Sequence, residues 1–156
     1  MRAQQTIRTL NDLIRTCRGT ERLCRVGSFY AESSDLAALL NDRVDEWGRL
    51  GDELQALVLL FGGNPARRGA AHLLALARWL SFKAAAFGRS DWWVIESCHC
   101  AQQRALQHYE HALGDRLPQR IRRTVSLQSD RIMNRLDMLD RLRRQLEYPA
   151  AGAGGV

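Results

Sequence analysis

The chain has almost no lysine: its 23 basic residues are 22 arginines and Lys83. So lopsided a ratio reads as genomic codon bias rather than selection for guanidinium, so the arginine count alone does not argue for phosphate binding. Proline is scarce, with residues only at 65, 118 and 149, so long stretches run without a helix breaker. No stretch alternates apolar and polar residues over strand length, which leaves no strand to assign. Long apolar runs are missing too. The best are Leu57 to Phe61 and Ala70 to Phe87, and His72, Arg78 and Lys83 interrupt the second, so neither reads as a membrane span. The first residues lack the apolar core of a secretory signal, and a soluble protein of the cytoplasm is expected. Phosphate-binding loops of the form G-x-x-x-x-G-K are absent; Gly62-Gly63 reads as a helix stop.

What is present fits one domain. At 156 residues, 46% hydrophobic and 26% charged, the chain is long enough to bury a core without metal or disulfide staples. A single helical domain is expected over 1–147. A disordered tail is expected over 148–156, where Pro149 to Val156 has nothing to pack. Cys17 and Cys24, seven residues apart on one helix, would lie roughly 10 Å from each other. Cys98 and Cys100 would point to different sides of another. Neither close pair can bridge, a bridge between helices stays open, and small buried thiols in a reducing compartment are the preferred account.

Apolar residues recur in steps of three and four. The first helix is expected from about Gln4 to Ala31, with Ile7, Leu10, Ile14, Cys17, Glu21 and Cys24 on one stripe. It carries a weak point at Arg18-Gly19-Thr20, where Thr20 or Gly19 would cap a second half. Glu32 to Asp35 should cap a long helix with the stripe Leu36, Leu40, Val44, Trp47, Leu50, Leu54, Leu57/Val58 and Phe61, stopped by Gly62-Gly63-Asn64-Pro65. A shorter helix follows over Arg68 to Phe87. Another, capped by Ser90 or Asp91, runs from Trp92 to Leu113. A last one opens at Leu117-Pro118, with Ile121, Val125, Gln128, Ile132, Leu136, Leu139, Leu142 and Leu146 facing inward. The fold class is therefore all-α: an antiparallel four-helix bundle with an additional connecting helix between the second and third bundle helices.

Three blocks in register carry a resemblance. Leu10-Asn-Asp-Leu-Ile14-x-x-Cys17 with Glu21 forms the first, and Glu53-Leu-Gln-Ala-Leu-Val58 followed by Leu60-Phe-Gly-Gly-Asn-Pro65 the second. Cys98, Tyr109-Glu110-x-Ala112-Leu113 and Leu117-Pro118 form the third. Together they resemble a bacterial family of ferritin-like four-helix-bundle proteins, domain of unknown function 2383. The resemblance implies a fold and no activity. It also marks a departure: where the family pattern has C-E-R-G-E-D, this chain has Cys98-His-Cys-Ala-Gln-Gln103, so three acidic positions have become His99, Gln102 and Gln103.

A ferritin-like di-iron site needs two E-x-x-H motifs and further carboxylates projecting inward. Only Glu96-Ser-Cys-His99 has that form, and the last helix offers no histidine and no glutamate before Glu147. The candidate interior polar cluster is Glu21, Glu96, His99, Gln102 and Gln128. Its functional reading is a mononuclear or degenerate metal site formed by Glu21, Glu96 and His99, with Cys24 or Cys98. Its preferred reading is a buried hydrogen-bond network in which Glu21, Gln102, Gln128 and Arg43 satisfy one another, because glutamine is a poor iron ligand. No catalytic residue, no cofactor and no metal is expected, with iron or another divalent metal as the alternative.

His108 and His111, one turn apart beside Glu110, admit a transition metal at the surface, with a solvated helix face the preferred reading. The nine arginines between Arg116 and Leu146 invite a nucleic-acid reading, which the absence of aromatics there and the interspersed Asp130, Asp137 and Asp140 disfavour. The basic, apolar segment 68–87 admits membrane-surface contact, with coverage of the bundle preferred. Adjacent Trp92 and Trp93 cannot both face one core, which points to a subunit contact. The leading expectation is a non-enzymatic cytoplasmic bundle acting through an unidentified protein partner or as a homo-oligomer. The alternatives are a ferritin-like metal-binding protein of oxidase or storage character and a basic, non-specific nucleic-acid binder.

Overall fold

The computed structural model describes residues 2–153, with the side chains of 2–146. Its helices are α1 (Arg2–Tyr30), α2 (Ser34–Leu60), α3 (Ala71–Phe87), α4 (Asp91–Gly114) and α5 (Gln119–Ala153), and no strand occurs among the described residues. The tail expected over 148–156 lies outside the residues whose side chains are described.

The caps follow the sequence closely at α2. The Ser33 side chain accepts a bond from the Leu36 N–H at 3.3 Å. At the other end Gly62 adopts φ +77, its N–H reaches Leu59 O, and the Gly63 N–H reaches Val58 O, both at 3.0 Å. Those two bonds and the left-handed glycine form a Schellman stop. At α4 the expected cap is not made. Ser90 makes no side-chain cap bond. The Asp91 carboxylate instead accepts the N–H groups of Glu32 at 2.7 Å and Ser33 at 3.1 Å, tying the start of α4 to the α1–α2 turn. The third helix starts at Ala71, later than expected, because 61–70 is held as a strap on α1.

The expected break at Gly19 does not occur: α1 is continuous through it. The glycine makes room instead. A Cβ there would lie 2.7 Å from the Leu73 Cβ, and a Cβ on Gly69 would lie 2.7 Å from the Gly19 Cα. The strap and the start of α3 therefore ride against the α1 backbone. Asn11 fastens the same strap from both sides of its amide, donating to Asn64 O at 3.0 Å and accepting from the Ala66 N–H at 2.8 Å. The Ala70 N–H adds a bond to Arg15 O at 2.9 Å. Two of the sequence blocks that carry the resemblance, the first and the second, are thus joined by Asn11.

α1 is the hub, with α2, α3 and α4 packed against it, and α5 packs on α4. The core contains Leu10, Ile14, Leu40, Leu54, Ile95, Ile121 and Leu139 with essentially no exposure. Each such side chain contributes about 1.5–3 kcal/mol by leaving water. Of the expected stripes, Leu136, Val44 and Phe61 are half-buried, and Arg43 is buried beside Val44. The Asp140–Arg144 pair forms, at 3.0 Å.

Candidate functional site

The five polar residues singled out by sequence do not meet at one centre. Gln102 and Gln128 are buried, as their register required. Glu21 lies half-buried at the α1–α2 boundary, 3.6 Å from Arg18 and 3.4 Å from Arg25, beside Gly48. Glu96 and His99 look toward α5. Glu96 pairs with Arg143 at 3.2 Å, and His99 Nε2 is 3.4 Å from Asp140. Burial first, then the nearby Arg143, lowers the His99 pKa, and Asp140 and Glu96 only partly oppose them. The imidazole is thereby held toward its neutral form.

The network expected among Glu21, Gln102, Gln128 and Arg43 is replaced by separate ones. At 3.6 residues per turn Glu21 stands about 40° round the helix from Cys17 and about 60° from Cys24, so it falls at the edge of the stripe while the two cysteines stay in the core. Cys17 Sγ sits 3.2 Å from Tyr109 Oη, and the Tyr109 hydroxyl donates to Gln128 Oε1 at 2.7 Å. The thiol therefore donates to the phenol oxygen. Gln128 Nε2 in turn donates to Glu53 Oε2 at 2.9 Å and Leu50 O at 3.3 Å. This chain runs from α1 through α4 and α5 to α2. Burial pushes the Cys17 thiol up to about 12, against the bond to Tyr109, and lifts the Tyr109 hydroxyl well above its usual range. Both stay protonated, which suits a structural relay and not a nucleophile.

Gln102 Nε2 lies 3.9 Å from Cys24 Sγ. The Cys98 thiol is raised by its hydrogen bond with Cys24 and by burial. Arg43 binds Glu46 at 2.8 Å, Glu46 also meets Arg135 at 3.3 Å, and the buried Arg43 Nε has no hydrogen-bond partner among the described residues. Burial lowers the Arg43 pKa despite Glu46. Glu46–Arg135 and, at 3.5 Å, Glu53–Arg131 bridge α2 and α5, between which lies an open groove of about 760 Å³.

The donors do not fit a metal pair. Every carboxylate of the expected set is engaged by an arginine or set apart from the others, and the interior is closed by thiol, phenol and amide groups. Among the described residues no three His, Cys, Asp or Glu side chains form a group that could hold a metal ion. His108 and His111 line a separate groove of about 660 Å³ between α1 and α4, where the Thr9 hydroxyl donates to Asp115 at 3.2 Å. The His108 ring is stacked 6.5 Å from His72.

Coverage of the bundle, the account preferred for segment 68–87, describes one side of α3 only. Leu73, Ala77 and Leu80 face the bundle, but Trp79 is 51%, Phe82 58% and Phe87 72% exposed. Lys83 Nζ lies 5.1 Å from the Trp79 ring centre and 4.5 Å from that of Trp93, within cation–π range. Trp79 stacks on Phe82 at 5.9 Å, and Phe87 meets Trp93 edge-on at 6.1 Å. Past Gly88, Arg89 lies over Phe29 and Tyr30. The signal was available: large apolar side chains recur on every side of α3, between Arg78 and Lys83, so no rotation could bury all of them. The pair that did draw attention, Trp92 and Trp93, is half-buried at both positions. No described helix is long and apolar enough to cross a membrane.

A family described as a domain of unknown function (DUF2383) matches residues 5–115. Among curated proteins, none matches the chain.

Proposed function

This chain belongs to the DUF2383 family, whose function is unknown, and on that premise we propose that it is a non-enzymatic bundle of ferritin-like type that works in the bacterial cytoplasm through contacts made by the outward face of α3. The observation that carries this reading is the set of rings at Trp79, Phe82 and Phe87, more than half exposed on one short helix. Clustered exposed aromatics are costly to leave in water and mark contact surfaces. Nothing in the interior competes with that reading as strongly, since the Cys17 thiol and the Tyr109 phenol are held protonated and Glu96 is paired with Arg143. The ferritin-like type is supported by the three sequence blocks and by the packing of α1 on α2 and α4 and of α4 on α5.

A photo-crosslinking amino acid placed at position 82, in cells of the source organism, tests it. Adducts formed from position 82 and not from the exposed position 103 support the reading; none at 82, or equal yields at both, overturn it. An adduct of twice the chain mass would identify a second copy as the partner. Stoichiometric iron, manganese or zinc in untagged protein, lost in a Glu21→Ala/His99→Ala variant, would replace it with the metal-binding alternative.

A further inference from the structure

The outward face of α3 combines two properties that are rarely left to water together. Its rings protrude, and its charge has one sign. Between Leu54 and Ser90 the chain carries Arg67, Arg68, Arg78, Lys83 and Arg89 and no acidic residue. On α3 itself the exposed stripe reads Ala75, Arg78, Trp79, Phe82 and Ala86, with Lys83 wedged between the rings of Trp79 and Trp93. The acidic residues at the neighbouring corner are Glu32, Asp35 and Asp91. Of these, Asp91 is taken up by the Glu32 and Ser33 N–H groups, Glu32 belongs to the α1–α2 turn and Asp35 to the first turn of α2. The cationic aromatic surface is therefore that of α3.

We propose that this face is a peripheral anchor for an anionic lipid bilayer, which α3 meets lying flat, with Trp79, Phe82 and Phe87 entering the headgroup boundary and Arg78, Lys83 and Arg89 among the lipid phosphates. The proposal rests on the reading of α3 as the working surface and names what covers it. Charge decides between occupants. A two-fold contact of two copies through this face would set the basic patch of Arg78 and Lys83 against the same basic patch of the other copy, with no carboxylate on α3 to offset it, because an isologous interface repeats one patch on both sides. An anionic surface satisfies the same charges. Shape favours lipid over an acidic protein. These rings stand out from the helix, whereas the grooves that could receive a partner's anchoring side chain lie between α1 and α4 and between α2 and α5. A fluid bilayer closes around a protruding ring, while a protein partner needs a preformed pocket for it. Aromatic and basic residues sharing one short helix are the composition of an interfacial segment.

The test is flotation of the full chain with vesicles of phosphatidylcholine alone and of phosphatidylcholine mixed with phosphatidylglycerol. Binding to the mixed vesicles, weakening as salt is raised, is the expected result. Trp79→Ser/Phe82→Ser and Arg78→Glu/Lys83→Glu should each weaken it by about tenfold or more with the helical circular dichroism unchanged. No binding to either vesicle, equal binding to both, or variants that bind like the parent would overturn the proposal. So would a dimer in sedimentation that the Trp79→Ser/Phe82→Ser change dissolves, since a second copy would then own the face. Crosslinks from position 82 to a protein, with no vesicle binding, would leave the contact reading of α3 standing and remove the lipid.

Discussion

Gly19 and Gly69 touch backbone to backbone: a Cβ on Gly69 would stand 2.7 Å from both the Cα and the N of Gly19. That contact lets the strap after α2 cross α1 and launch α3. Its energetic weight can be read from two glycine substitutions that differ only in surroundings. Gly19→Ala would press its methyl 2.7 Å from the Leu73 Cβ, an atom fixed to the α3 backbone. A loss of about 1–3 kcal/mol in denaturant unfolding is expected, despite the better helix propensity of alanine. Gly48→Ala meets only the Glu21 carboxylate, at 3.4 Å, and should raise stability by up to about 1 kcal/mol. Equal effects at the two sites would contradict the packing role of Gly19.

The Cys17–Tyr109–Gln128–Glu53 chain predicts an asymmetric cost. Tyr109→Phe keeps the ring but leaves Gln128 Oε1 and the Cys17 thiol without the hydroxyl between them. Chemical unfolding should show a loss of about 1–3 kcal/mol, the cost of buried polar groups left unmatched. At the exposed Gln103 a change to alanine should stay within about 0.5 kcal/mol.

His99 should make stability fall with acidity. Its folded pKa lies below the ordinary 6.5, owing to burial and Arg143. The unfolded chain therefore binds the proton first, and the stability present above pH 6.5 is lost as the pH falls toward the folded value. Melting temperatures between pH 7.5 and pH 5.5 should decline for the parent and decline less for His99→Gln. Parallel curves for the two proteins would remove His99 from the account.

The thiols should divide by burial. Cys17, Cys24 and Cys98 are buried and Cys100 is half-buried, all four free. Cys17 is pushed up to about 12, and Cys98 is raised by Cys24 and by burial. A disulfide reagent at pH 8 should label Cys100 rapidly and the others only as the protein unfolds. Four fast equivalents would show that the α1–α4 seam opens in the native state.

Much of the architecture was written locally. The α2 stop is an example: Gly62-Gly63 supplies the positive φ and the N–H groups of its Schellman cap, whatever else surrounds it. The buried positions of Gln102 and Gln128 followed from a period of 3.6, since each falls in step with neighbouring apolar residues. Tyr109, seven residues beyond Gln102, shares that phase, but its hydroxyl's partners come from two other helices, Cys17 of α1 and Gln128 of α5, and no spacing names them.

Where the local signal failed, the cause was a contact made far along the chain. Gly19 looks like a break because glycine is a poor helix former, yet α1 runs through it because Leu73 and Gly69 need its missing side chain. Glu21 shares a stripe with Cys17 and Cys24, yet it lies half-buried against α2, beside Gly48 and next to Arg18, which reaches across to Asp52.

The sequence by itself determined the helices, most of their ends and which stripe of each long helix would be dry, because those depend on residues a few positions apart. Only the tertiary structure decided which polar groups pair in the interior, why α1 needs a glycine at its middle, and which side of the apolar, basic α3 stays in contact with water. Those outcomes depend on the distances between helices and on what each neighbour leaves uncovered.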